Sequence, residues 1–123
     1  MDVNFAKNLT EIAAENTAAV ITSDPHPMGG MNHAAVTLHI DSIVDQSSGT
    51  PGLTVQAEGS NDGVNYVTVA GVVISNQTAT GTSSDEGDFT FAFIRFTFTL
   101  DAQGSANEWA SMTFDVHANL TQT

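Results

Sequence analysis

The residues able to do chemistry are unevenly supplied. The chain has four histidines, His26, His33, His39 and His117, and no cysteine. It carries 14 carboxylates against two cations, Lys7 and Arg95. A hydrolytic zinc site uses histidines spaced four apart on one helix face, or cysteines that complete a tetrahedral shell. Neither pattern occurs in the sequence. The G-x-S-x-G turn that exposes a nucleophilic serine is also missing. Carboxylates that cleave glycosides must flank a cleft about 5–10 Å apart. Here they gather in turn-like segments, notably Asp85, Glu86 and Asp88. The expectation is a chain that is not an enzyme and needs no cofactor.

Calcium is the one ion the sequence has ligands for. Ser84-Asp85-Glu86-Gly87-Asp88 offers hard oxygens around a flexible glycine, and Asn61-Asp62-Gly63 is a second set. Neither has EF-hand spacing, and Asp and Asn in turns commonly serve the backbone instead. Arg95 stands inside a phenylalanine-rich run. An arginine there turns its head to water or meets a carboxylate, so a structural ion pair is expected. Trp109 and Tyr66 are the only large amphipathic aromatics. Each suits a ring platform for sugars, or an anchor in a core or interface.

Charge narrows the partners. The formal net charge is −12 and the pI near 4.1. Nucleic-acid binding requires cations that displace phosphate counterions, and two do not suffice. An anionic membrane surface repels such a chain for the same reason. Met1 to Asn8 reads MDVNFAKN, without the basic start and apolar run of a secretory signal. No apolar stretch approaches the roughly 18 residues of a membrane helix.

These residues must be positioned by elements that are mostly strands. At 123 residues the chain is one domain. In the first part, Phe5, Leu9 and Ile12 are spaced four and three apart, the stripe of a short helix, with an extended arm as the alternative. Residues 23–32, SDPHPMGGMN, read as loop. From Ala34 onward the period is two. Strands are expected over Val36–Val44, Leu53–Glu58, Tyr66–Ile74, Phe89–Leu100 and Met112–Leu120, with Val36, Leu38, Ile40 and Val44 sharing one face. Asn61-Asp62-Gly63 marks a hairpin turn. Ser75–Asp88 reads as a long loop and Asp101–Asn107 as a turn. Phe89, Phe91 and Phe93 share one parity while Phe96, Phe98 and Leu100 share the other, which predicts a bulge at Ile94-Arg95 or a strand buried on both faces. The whole reads as an all-β, antiparallel, jelly-roll-like β-sandwich over residues 34–123, with residues 1–33 as an N-terminal arm or short helix.

One order of motifs is familiar. Ser48-Gly49-Thr50-Pro51-Gly52-Leu53-Thr54-Val55 leads to Glu58-Gly59-Ser60-Asn61-Asp62-Gly63-Val64-Asn65-Tyr66, and Phe93-Ile94-Arg95-Phe96 follows before a closing alternating strand. This resembles small β-sandwich structural proteins of tailed bacteriophages and prophages, over roughly Val36 to Leu120. The resemblance implies a virion component made in the host cytoplasm, of the capsid decoration or cement type, whose partner is the major capsid protein. It also implies a homo-oligomer, with a trimer favoured. The N-terminal segment lies outside the resemblance, and Phe5, Leu9 and Ile12 are its candidate contacts. A shorter likeness, Ser60 to Tyr66 with Phe93 to Phe96, points to discoidin-like carbohydrate-binding or adhesion modules as the alternative.

Overall fold

The structure is a computed structural model that describes residues 1–14, 17–101 and 107–123. The described residues form nine antiparallel strands: β1 (Asp2–Ala14), β2 (Ala19–Thr22), β3 (His26–Pro27), β4 (His33–Gln46), β5 (Leu53–Ser60), β6 (Val67–Gln77), β7 (Gly81–Asp88), β8 (Phe93–Leu100) and β9 (Trp109–Thr121). One sheet has the order β1-β9-β4-β7 and the other β2-β8-β5-β6, with the short β3 also on β8. Except for the β5–β6 hairpin, each successive long strand crosses to the opposite sheet. That alternation is the double Greek key of a jelly roll.

Alternating apolar residues build the core between the sheets. Leu38, Met112, Phe114 and Val116 of the first sheet meet Val55, Ile94, Phe96 and Phe98 of the second, all buried. The Phe98 and Phe114 rings pack edge to face at 5.5 Å, and Phe5 packs on Phe96 at 4.8 Å. Each such side chain contributes about 1.5–3 kcal/mol by leaving water.

Several expectations need correction. The N-terminal stripe is not a helix: Asp2–Ala14 is β1, an edge strand paired with β9. Its register slips twice, between Asn4 and Ala6 and between Ala6 and Leu9, with Asn8 in the left-handed region at φ 49°. Phe5 and Leu9 face the core on either side of the second slip, whereas Ile12, three regular residues beyond Leu9, faces out, so the four-and-three spacing is not one stripe. Ser75–Asp88 is not one loop either, because Gly81–Asp88 forms β7. No bulge falls at Ile94-Arg95. β8 pairs with β5 without a slip, and Ile94, Phe96, Phe98 and Leu100 all point inward. Phe89 and Phe91 belong to the segment before the strand and need not share its parity. Slips occur elsewhere, in β1, in β6 against β5, and in β4 between Ile40 and Ser42. The β4 slip turns Ile43 toward the core and Val44 out. The turn expected at Asp101–Asn107 falls largely on 102–106, outside the described residues.

β6 and β7, edge strands of opposite sheets, close one flank of the sandwich. Asp85 Oδ2 accepts the Val73 amide at 3.0 Å. Gly87 lies so near β6 that a Cβ there would sit 2.6 Å from the Gly71 carbonyl oxygen. The inward positions of β7 are therefore small or polar: they face another strand's backbone and not the core.

Candidate binding surfaces

Two surfaces stand out, at opposite ends of β4. The first is an open cleft of about 410 Å³ before the start of β4. Its floor is apolar, with Met28 and Phe89 buried and Met31 and Phe91 half-buried. Asn32 and Asn61 supply amides at its mouth. The walls are fixed by main-chain bonds: Met28 N donates to Ala92 O at 2.7 Å and Phe89 N to Asn32 O at 2.9 Å. Ala92 N donates to Asn61 Oδ1 at 3.1 Å. Phe91 covers Gly59, where a Cβ would meet its ring at 2.4 Å. Among the described residues, no titratable side chain lines the cleft. It can take an apolar group and hydrogen-bond it through amides, and it holds no group for acid–base work.

The second surface is the outer face of the four-stranded sheet. Registry sets Thr10, Thr113 and Ser42 in one row, Ile12, Ser111 and Val44 in the next, and Ala14, Trp109 and Gln46 in the last. Thr10 and Thr113 share a hydrogen bond at 2.8 Å, which confirms that this row points outward. Ile12 is 64% exposed, Val44 45% and Trp109 40%, so the last two rows carry an apolar patch of three exposed side chains, with Ser111 between Ile12 and Val44. Farther along the same face stand His39, His33 and His117. His39 bridges Asp41 at 3.0 Å and Thr82 at 2.9 Å. His33 approaches Glu86 at 3.8 Å and Asp88 at 3.6 Å.

The sequence-selected residues are distributed as follows. Of Phe5, Leu9 and Ile12, the first two pack against the core and only Ile12 faces water. Arg95 Nε donates to Glu58 Oε1 at 2.8 Å, and its guanidinium lies over the Tyr66 ring. Trp109 is on the exposed patch, while Tyr66 is half-buried. In β7 alternate residues face opposite sides, so Asp85 is directed to Val73 while Glu86 and Asp88 flank His33. Asp62 is spent on its own turn. Oδ1 accepts Val64 N and Asn65 N, each at 2.8 Å, and Oδ2 accepts Asn65 Nδ2. These bonds hold its carboxyl well below the usual carboxylate range. Among the described residues, no three His, Asp or Glu side chains converge as metal ligands.

Sequence reasoning missed Glu11. It is 1% exposed on the inner side of β1, and neither carboxylate oxygen has a hydrogen-bond partner. Burial pushes its pKa up to about 8. A carboxylate among apolar inward positions is the only sequence signal, and the slipped register of β1 hid which positions those are.

Comparison with known proteins gives the fold a wider setting. The chain's sequence matches no family profile and no curated protein. Among solved structures, the PBSX exported protein XepA is similar over 100% of this chain and 37% of its own, at 12% identity and a TM-score of 0.62. Infectious bursal disease virus, Gt strain, is similar over 99% of this chain and 32% of its own, at 14% identity and a TM-score of 0.61. The Gx strain of that virus gives 10% identity and a TM-score of 0.63. The chain thus spans about a third of the length of each. At these identities the likeness is one of fold: this is a jelly-roll domain of a kind present in phage-derived and viral proteins.

Proposed function

We propose that this chain is a virion structural protein of the capsid decoration or cement type, which binds the assembled head of a tailed phage and stabilises it. The observation that carries this reading is the fold. The complete jelly roll, from β1 to β9, is shared with a phage-derived exported protein and with a virus chain at TM-scores above 0.6. The motif order from Ser48 to Phe96 supports it independently. So does the character of the surfaces, which offer exposed apolar side chains and an amide-rimmed cleft. The major capsid protein is the partner on this reading, and the virion is the location. Assembly as a trimer about a shell axis is the arrangement it favours. A protein that binds only the assembled shell stabilises it by mass action, by RT ln(1 + [L]/Kd).

The test is compositional. Phage particles induced from the source strain and banded by density should contain this chain in a copy number set by capsid symmetry, measured by quantitative mass spectrometry. Particles that lack it, or a purified chain that binds a glycan array and no particle, would replace this reading with the carbohydrate-binding one.

A further inference from the structure

Glu11 is buried on the inner side of β1, at 1% exposure, and neither of its carboxylate oxygens has a hydrogen-bond partner. The strand that carries it is weakly held. β1 is the edge of its sheet, so β9 is its one ladder partner among the described residues. The slip between Ala6 and Leu9, with Asn8 in the left-handed region, separates residues 9–14 from the N-terminal half of the strand. Leu9 to Ala14 then pair in regular register with Phe114 to Trp109, and Ala14 bridges to Thr17. Residues 9–14 are thus a strap held at both ends, by the bulge and by that bridge.

Among the described residues, no cation faces Glu11. β1 packs on β9, β2 and β8. The inward side chains of β9 along the strap are Ala110, Met112 and Phe114, and Met112 is the register partner of Glu11. Asp115 and His117 lie on the other face of β9, where Asp115 accepts the Asn8 amide. β2 has no titratable residue and turns Ala19 and Ile21 to the core. β8 presents Phe98 and Leu100 inward, while Arg95 faces out and binds Glu58. Lys7 on β1 is exposed, and Glu108, ahead of β9, turns Oε1 to the Ser48 amide. Glu15 lies outside the described residues.

An ionised carboxylate stranded among apolar side chains is strongly unfavourable, so the closed strap keeps Glu11 protonated. Burial alone pushes its pKa up to about 8. Lifting an edge strap hydrates the carboxylate and leaves the other strands paired, a smaller opening than unfolding the sandwich.

We propose that Glu11 makes residues 9–14 a proton-latched strap: protonated, it lies closed on β9, and on losing its proton it lifts and bares the edge of β9 and the core beneath. This device belongs to the fold and is independent of the virion reading.

Amide hydrogen exchange by NMR on the intact chain tests it, with rates expressed as protection factors so that the pH dependence of exchange itself cancels. At neutral pH the strap amides that donate to β9 should be at least tenfold less protected than those of β5, because the strap opens without the rest. Their protection should fall about tenfold per pH unit between the ordinary carboxylate range and about pH 8, where the closed form alone holds the proton, and level off above. In Glu11→Gln, which cannot ionise, strap protection should change less than about threefold over the same range. Strap amides as protected as those of β5 at every pH exchange only by global unfolding, which would overturn the proposal. So would a Glu11→Gln strap whose protection falls with pH as steeply as the parent's. The comparison of strap with β5 needs the parent chain alone, so it decides the matter even where the variant fails to fold.

Discussion

The guanidinium carbon of Arg95 lies 3.8 Å from the centroid of the Tyr66 ring. The same side chain donates through Nε to Glu58 Oε1 at 2.8 Å, from the register position directly opposite on β5. One cation thus ties β8 to β5 and to the residue that leads into β6. Both members of the ion pair are partly shielded from water, at 30% and 19% side-chain exposure. Shielding raises the worth of a pair above the surface median and raises the cost of stranding one partner.

Arg95→Met, which keeps much of the stem and removes the charge, should therefore lower stability by about 1–2 kcal/mol. Tyr66→Leu should cost a similar amount. Tyr66→Phe should be neutral or mildly stabilising, because the Tyr66 hydroxyl is buried without a partner. Urea midpoints for the three variants check this. A Tyr66→Phe variant as weak as Tyr66→Leu would mean that the hydroxyl, and not the ring face, holds the arginine.

Glu11 gives the protein an alkaline weakness. Its folded-state pKa of about 8 lies above the ordinary value of 4.5. The folded state therefore binds a proton more tightly than the unfolded chain does. Below pH 4.5 both states are protonated and Glu11 carries no pH-dependent penalty. Between about 4.5 and 8 the unfolded chain alone releases the proton, and stability falls as pH rises. Above 8 the penalty is complete, on the order of a few kcal/mol. Glu11→Gln removes the titration, so its advantage over the parent should grow from pH 4.5 to pH 8 and then level off. Denaturant midpoints of both proteins at pH 4, 6, 8 and 9 measure it. Parallel curves would show that Glu11 finds a partner or water in solution.

The strands that were legible in the sequence are those whose alternate residues meet the core, including β4 and β6 although each carries a slip in register. Met112 to Leu120 alternates cleanly because β9 is central, and every second residue meets the opposite sheet. β7 was invisible because Ser83, Asp85 and Gly87 face the backbone and side chains of β6. A strand that packs on a strand edge has no apolar period to display. β1 was disguised because its two slips disturb the alternation before Leu9, while Ile12, an odd three residues farther on in regular register, falls on the opposite face and completes a helical spacing by chance. The patch was hidden for a related reason. Its members come from three strands, and only the pairing of β1, β9 and β4 brings them together. Arg95 was legible because a cation in a phenylalanine-rich strand has few places to go.

Asp62 organises the turn after β5 through its carboxylate. Val64 N, Asn65 N and Asn65 Nδ2 all donate to it, and these bonds favour the ionised form. Its pKa is depressed, so its contribution is fully present above the ordinary aspartate range and is lost as pH falls toward the folded value. Asp62→Ala should leave the sandwich folded and speed amide hydrogen exchange at Val64 and Asn65, with the strand amides of β5 unchanged. An exchange map by NMR decides it. Unchanged protection at Val64 and Asn65 would assign the turn to its glycine and backbone alone.

The −12 charge predicts how the folded chain responds to salt. Compaction brings its like charges together, and only Lys7, Arg95 and the amino terminus oppose them. The Debye length falls from about 30 Å at 0.01 M to about 10 Å at 0.1 M, which is enough to cut repulsion across a domain of this size. The Arg95–Glu58 pair, at contact distance and partly shielded, loses far less over that range. Sodium chloride should therefore raise the urea midpoint, with most of the gain below 0.2 M. The gain should come with little change in the denaturant slope, since the surface exposed on unfolding is the same. Lys7→Gln should steepen the salt response, because it removes the one exposed cationic side chain on β1. A midpoint that is flat or falls with salt would mean that attractive contacts such as Arg95 with Glu58 outweigh the repulsion.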